Sequence, residues 1–258
     1  MNDIDNSQAP LLDHLIELRR RLLYSVIAVA LCFGLCFYFS EQILSFLVQP
    51  LLAAGQKKVI FTQIFEAFFV QIKVAFFAAM MLAFPVIANQ LWQFVAPGLY
   101  RNEKKALFPF LLATPVLFIA GAALAYYATI PVALHFLLGY QGNLGGVQQE
   151  ALPSVENYLS FVMQFLFAFG LAFLLPVLLM LLELAGIVTR KQLVGARRYA
   201  IVAAFAIAAV ATPPDIGSQV LLAVPLILLY ELALIAIWFT EKRRAKRDPE
   251  AATDEEAA

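Results

Sequence analysis

NYLSFVMQFLFAFGLAFLLPVLLMLL, residues 157–182, runs from Glu156 to Glu183 without a formal charge. As an α-helix it would be about 39 Å long, enough to cross the ~30 Å hydrocarbon core of a bilayer. Its neighbours have the same character. Charge-free runs cover Leu22–Ser40, Val74–Tyr100, Ala106–Gln149 (one span plus a loop) and Tyr199–Ala211, and the apolar run Val220–Phe239 carries a single charge, Glu231. Of the 258 residues 62% are hydrophobic and only 14% charged, more apolar surface than a soluble domain can hide. The reading is an all-α membrane protein with six transmembrane helices at approximately 22–40, 69–94, 106–135, 157–183, 199–212 and 218–239. Residues 1–240 form the polytopic membrane domain, and 241–258 a disordered cytoplasmic tail, basic then acidic and without apolar periodicity.

Net charge is zero, but the bases are not spread evenly. Arg19, Arg20 and Arg21 precede the first span. Arg101, Lys104 and Lys105 separate the second and third, Arg190, Lys191, Arg197 and Arg198 the fourth and fifth, and Lys242, Arg243, Arg244, Lys246 and Arg247 follow the sixth. Only Lys57, Lys58 and Lys73 fall on or near the other side. The positive-inside rule puts both termini in the cytoplasm. The polar, mildly acidic first ten residues do not read as a cleavable leader, so insertion by the chain's own spans into a bacterial inner membrane is expected.

Local signals refine the picture. Residues 11–23 (LLDHLIELRRRLL) have the pattern of an amphipathic helix on the inner leaflet before the chain turns into the bilayer, with Glu17 and Arg21 at the favourable i,i+4 spacing. In the outer loop 41–66, Ile43, Leu44, Leu47, Val48 and Leu51 predict an interfacial helix bent at Pro50. Prolines 85, 115, 131 and 176 predict kinked helices and a curved bundle. Residues 139–156 read as a polar, glycine-containing outer loop. Cys32 and Cys36, four apart on one helix face, read as packing groups.

The last two helices are short. From Arg198 to Thr212 is about 21 Å of helix, roughly 10 Å less than the core thickness. Asp215 then sits on the tip of a hairpin that does not emerge, which requires local thinning or a water-filled recess. Glu231, about 20 Å below Ser218, reaches the inner interface. Alanines 203, 204, 206, 208, 209 and 211 make the fifth helix smooth enough for close approach, inside the bundle or with a partner span.

Enzyme chemistry is not written here. No GxxxxGK[ST] phosphate loop and no metal-ligand cluster appear in the sequence. His14 belongs to the surface helix and His135 to the outer end of the third, so no facing pair can hold a haem. No Ser/Lys or Ser/His pairing at one depth suggests a protease. No cofactor, metal or nucleic acid is expected. The chain reads as a receptor or a conduit.

Four stretches then go together: HLIELRRRL (14–22), FVAPGLYRNEKK (94–105), ENYLSFVMQFLFAFG (156–170) leading to Phe173 and Pro176, and TPPD (212–215) followed by Ser218 and Gln219. Over roughly residues 10–240 this resembles the TatC family, the multispanning receptor of the twin-arginine protein translocase. The resemblance implies a core component that exports folded proteins using the transmembrane proton gradient and reads signal peptides carrying paired arginines. It implies Glu17 and Glu103 as carboxylates for the guanidinium forks, Phe94 packing the apolar residue after the arginines, and Arg19 orienting Glu17 or nearby backbone. Pro50, Tyr126, Asp215 and Gln219 are implied outside the peptide site, with Thr212 and Gln219 able to hydrogen-bond a polar residue of a partner's single span. TatB-like and TatA-like single-span proteins, cargo, membrane lipid and further copies of the chain are the implied partners.

One departure stands out. Many family members carry a glutamate in a Phe-Glu-x-Pro context in the fourth helix, where this chain has Phe173, Leu174, Leu175, Pro176. Gln164, the polar residue available there, is ten residues or about 15 Å away, so it is not a like-for-like substitute. The rival class, a secondary transporter or channel for a small solute, would use Asp215, Glu231 and Gln164 as pathway groups. The internal repeat common in such folds is not visible here.

Overall fold

The computed structural model describes the backbone of residues 3–247, apart from 57, 100–103, 140, 145–146, 150–151 and 212–215. Side chains are described from 15 to 242, apart from 57, 95–109, 140, 142–151 and 211–215. Two units make up the chain: residues 1–116 with 134–163, and residues 117–133 with 164–258.

The first unit is built on two long helices. α1 (Asp3–Tyr38) is a single helix of 36 residues, so the turn expected between an amphipathic segment and the first span does not occur. The interval holds no proline or glycine to break it: the apolar run simply continues the helix that the surface segment begins. α2 (Ser40–Ala53) follows, with Pro50 inside it, and ends at Gly55, whose φ of 92° suits a residue without a Cβ. α3 (Glu66–Leu99) packs along α1, where Cys36, Ala75 and Ala79 form a small core with Cys32 and Phe33. The cysteines are free and contribute as small apolar groups.

The end of this unit that carries the N-termini of α3 and α6 is tied by polar contacts. Residue Ile60 makes a parallel bridge to Ser154, its N–H donating to Pro153 O (3.3 Å) and its carbonyl accepting from Val155 N–H (3.1 Å). Buried Glu66 accepts from the Thr62 hydroxyl (2.8 Å), the Thr62 and Gln63 amides and the Glu156 amide (3.0 Å). The Tyr158 hydroxyl donates to Leu47 O at 2.8 Å. Within the expected loop 139–156 the chain forms a short antiparallel hairpin, β1 (Gly142–Leu144) with β2 (Val147–Gln149).

The third long segment is not a uniform helix. α4 (Lys104–Leu124) passes into a π-helical turn, Ala125–Thr129, and then α5 (Ile130–Leu138). Proline 131 has no amide to donate, and the Ile130 N–H reaches back five residues to Ala125 O, so the strain expected at this proline appears as a widened turn.

α6 (Val155–Ala172) breaks before α7 (Leu175–Leu184), with Pro176 in the first turn of α7. Close approach fixes its packing. A Cβ on Gly121 would stand 2.5 Å from Phe169 O, and one on Gly170 2.6 Å from the Phe118 ring. α8 (Arg190–Gly195) begins at a capping box between Thr189 and Gln192. α9 (Arg197–Ala211) has 15 residues, about 22 Å, the short helix that counting anticipates. α10 (Ile216–Arg247) carries its helix through residues expected as a disordered tail; the Lys- and Arg-rich stretch 242–247 is good helix former and continues the preceding turns.

Five helical stretches among the described residues are long and apolar enough to cross a bilayer: Leu15–Tyr38, Glu66–Phe94, Phe110–Leu138, Val155–Leu184 and Ile216–Lys242. The architecture is an all-α membrane protein.

Candidate functional site

Glu17 lies in α1 one turn before Arg21, and the helix presents both toward the C-terminal part of α3. Arg21 Nε and Nη2 both donate to Glu17 Oε1, the former at 2.9 Å. The third nitrogen, Nη1, donates to Gln93 Oε1 at 2.7 Å, and Gln93 Nε2 donates to Asn89 Oδ1 at 3.0 Å. A polar line Glu17–Arg21–Gln93–Asn89 therefore joins α1 to α3. Phe94, half-buried, follows Gln93 directly.

Arg21 engages only one oxygen of Glu17. The other, Oε2, accepts no hydrogen bond among the described residues, and the side chain stays about one third exposed. A carboxylate has acceptor sites on both oxygens. Glu17 is thus held in place yet half open.

The expectation that Arg19 orients Glu17 needs correction: the guanidinium on Glu17 is that of Arg21. Arg19 is exposed and has no hydrogen bond among the described residues, because two positions from Glu17 is the wrong helical phase for contact. Arg20 points elsewhere, its Nε donating to Tyr24 Oη at 3.3 Å and its guanidinium lying 5.6 Å from that ring. Glu103 falls outside the described residues. Helices α3 and α4, which precede and follow it in the chain, are joined by Trp92 Nε1, which donates to the buried Thr114 hydroxyl at 2.9 Å; that hydroxyl donates to Phe110 O at 2.7 Å. Gln93, Asn89, Trp92 and Thr114 were missed by the sequence reading. The i,i+4 spacing of Asn89 and Gln93, polar residues at the end of an apolar run beside Phe94, was the available signal.

The other sequence-derived positions are scattered. Pro50 is buried in α2, within the first unit. Tyr126 is buried in the π turn, its ring edge-on to exposed Tyr127 at 4.9 Å. Gln164 is exposed and lines an otherwise apolar groove of about 870 Å³ with Leu174, Leu178 and Val210. Gln219 is half-buried early in α10, and Thr212 and Asp215 fall outside the described residues. Glu231 Oε2 accepts from Arg197 Nη2 at 2.8 Å, both side chains partly exposed, so this carboxylate is already matched by a base.

A family profile described as Sec-independent protein translocase protein (TatC) matches residues 13–225. The chain belongs to the TatC family. It is 48% identical to the Sec-independent protein translocase protein TatC of Magnetococcus marinus over 250 residues, 96% of this chain and 91% of that protein. With the TatC protein of Escherichia coli K12 the identity is 37%, covering 87% and 86% of the two chains. The fold matches a crystal structure of the twin-arginine translocase receptor TatC with a TM-score of 0.76 and 42% identity, across 86% of this chain and 96% of that one. Membership makes the chain a multi-span membrane component of the Tat protein translocase, a transport protein of no known enzyme class. Within the TatC motif 14–22, the structure adds an internal ion pair and an interhelical link.

Proposed function

We propose that this chain is the receptor subunit of the twin-arginine translocase and binds paired-arginine signal peptides through Glu17, Glu103 and Phe94. The observation that carries the reading is the half-open state of Glu17: Arg21 fixes Oε1, and Oε2 is left for a visiting guanidinium. Each charge-assisted bond contributes about 1.5–3 kcal/mol, so two carboxylate sites discriminate arginine from lysine or glutamine. Phe94, adjacent to Gln93, is suited to pack the apolar residue that follows the arginines. Arg19, exposed beside this site, has the role of repelling or steering the peptide's basic end rather than holding Glu17.

The same reading includes six spans, with α9 the short fifth, and both ends in the cytoplasm of a bacterium whose inner membrane holds the protein. It includes TatB-like and TatA-like single-span partners, further copies of the chain, folded cargo and the proton-motive force. Ala204 and Ala208, the i,i+4 pair of α9, are buried, whereas Val202 and Val210 are strongly exposed and suit contact with a partner span. Pro50, Tyr126, Gln164, Thr212, Asp215 and Gln219 belong to partner contact or translocation; Glu231, paired with Arg197, belongs to the inner rim. Photocross-linking of a twin-arginine peptide tests the reading. Glu17→Ala and Glu103→Lys are expected to abolish the adduct while the protein still inserts and folds; an undiminished adduct with stable Glu103→Lys removes the assignment.

A further inference from the structure

Where α8 meets the C-terminal part of α10, bases gather around one acid. Tyr230, Leu234 and Ile237 form the row of α10 that is buried beside Leu193 of α8, and Glu241 continues that row one turn on. Arg190, the first residue of α8, reaches it: Nη1 stands 3.9 Å from Glu241 Oε2, an ion pair too long for a hydrogen bond. Arg190 Nε is buried and meets no acceptor among the described residues. Lys191 follows, exposed and without a hydrogen bond or ion pair among the described residues. Lys242, next to Glu241, is also exposed, its Nζ 5.2 Å from the centre of the Trp238 ring. We propose that this cluster holds the phosphate of an anionic phospholipid, with Arg190 and Lys242 as the groups that bind it. The inference is independent of the peptide site.

Donor chemistry fixes the class of ligand. A guanidinium only donates, and a buried N–H without an acceptor has given up its water for nothing in return. Glu241 offsets the charge of Arg190 in part and leaves that donor unmet. A phosphate does both: its oxygens accept from the edge of a guanidinium, and its charge serves a second base. Arg190, Lys191 and Lys242 outnumber Glu241, so the ligand that balances the cluster carries net negative charge. A zwitterionic headgroup brings a cation of its own.

The surroundings select a lipid over free phosphate. Ile235, Trp238 and Phe239 on α10 and Val194 on α8 are exposed, an apolar surface against which acyl chains lie. After Phe239 the sequence of α10 turns from apolar to charged, so the bases stand where hydrocarbon gives way to head groups. An indole is at home at that level, and the Lys242 ammonium above its face turns to a phosphate without leaving the cluster.

The test uses the full chain in phosphatidylcholine nanodiscs containing a rising share of phosphatidylglycerol or phosphatidylcholine with brominated tails, which quench a tryptophan they touch. The Trp238 signal is the parent emission less that of Trp238→Phe. Brominated phosphatidylglycerol is expected to half-quench Trp238 at a share several-fold below that of brominated phosphatidylcholine. Arg190→Gln and Lys242→Gln should each raise that share about fivefold, the worth of one base at an anionic surface. Arg198→Gln removes the same charge from α9, where the guanidinium donates to Tyr199 Oη at 3.0 Å, and should leave the preference unchanged. Lys242→Gln, at an exposed position, decides the matter if Arg190→Gln does not fold. Equal quenching by the two lipids, or a preference lowered as much by Arg198→Gln as by Lys242→Gln, overturns the site and reduces the cluster to general surface charge. Loss of the preference on adding excess inorganic phosphate at constant ionic strength shows a free-anion site and overturns the lipid assignment.

Discussion

Arg21 Nη1 lies 2.7 Å from Gln93 Oε1, across 72 positions of sequence. One guanidinium thus holds the carboxylate of Glu17 and the amide of Gln93 together, and the polar end of α1 is registered against the residue that precedes Phe94. The geometry makes Gln93 a positioning residue for the proposed peptide site. Gln93→Leu removes the α3 anchor of Arg21 without touching the acid. The expected result is a three- to tenfold weaker twin-arginine peptide, matching the ~1 kcal/mol of one hydrogen bond, with normal membrane insertion. Peptide titration against cross-linking yield checks this, and unchanged affinity would show that Arg21 holds Glu17 unaided.

Helix packing in the second unit makes a sharper prediction. A Cβ on Gly121 meets the Phe169 carbonyl oxygen at 2.5 Å, backbone that cannot swing away, whereas one on Gly34 meets nothing within 4 Å. Gly121→Ala is expected to destabilise by about 1–3 kcal/mol through overpacking. Gly34→Ala is expected to be neutral or slightly stabilising, as alanine is the better helix former. Thermal unfolding in detergent compares the two, and equal melting temperatures would contradict the close contact.

Where α3 and α6 begin, Glu66 and the Lys73–Glu156 pair are predicted to behave in opposite ways. The Glu66 carboxylate accepts from Thr62, Gln63 and Glu156, while Lys73 and Glu156 meet at 2.6 Å with both side chains more than a third exposed. Glu66→Gln places an amide donor where donors already converge, and should lower the melting temperature and speed proteolysis between residues 57 and 66. Lys73→Gln removes an exposed ion pair of ~0–1 kcal/mol and should change neither measurably.

Glu231, whose carboxylate is paired with Arg197, is predicted to be dispensable for export. With that charge already matched midway along α10, Glu231→Gln should leave export of a twin-arginine cargo within about twofold of the parent, in line with the small worth of exposed pairs. Tyr230→Phe, next to it, removes the hydroxyl bonded to Leu193 O at 2.7 Å. It should cost about 1 kcal/mol, or about 2–4 °C of melting temperature. Strong loss of export from Glu231→Gln would show that this carboxylate is needed for translocation.

Much of the fold was legible because membrane physics writes it in composition. Five helices long and apolar enough to cross a bilayer follow from the length of the apolar runs, the shortness of α9 from counting between Arg198 and Thr212, and a distortion near Pro176 from the proline itself. What could not be read depends on tertiary partners. Pro131 announced a distortion, but not that the Ile130 amide would reach Ala125. The sequence placed Glu17 beside Arg21 by helical spacing, yet nothing local says that Gln93 completes the link. The absence of an acid at Leu174 was visible in the sequence, and the structure finds Leu174 lining the same apolar groove as Gln164.

The single-oxygen grip of Arg21 on Glu17 has a kinetic corollary. Under the proposed receptor role, an arriving guanidinium can seat on the vacant oxygen while the resident one still holds the other, and the resident can then retreat toward Gln93. Loading becomes an associative handover in which the acid never passes through a naked, ligandless state, and its rate escapes the penalty that baring a charge at a membrane surface would impose.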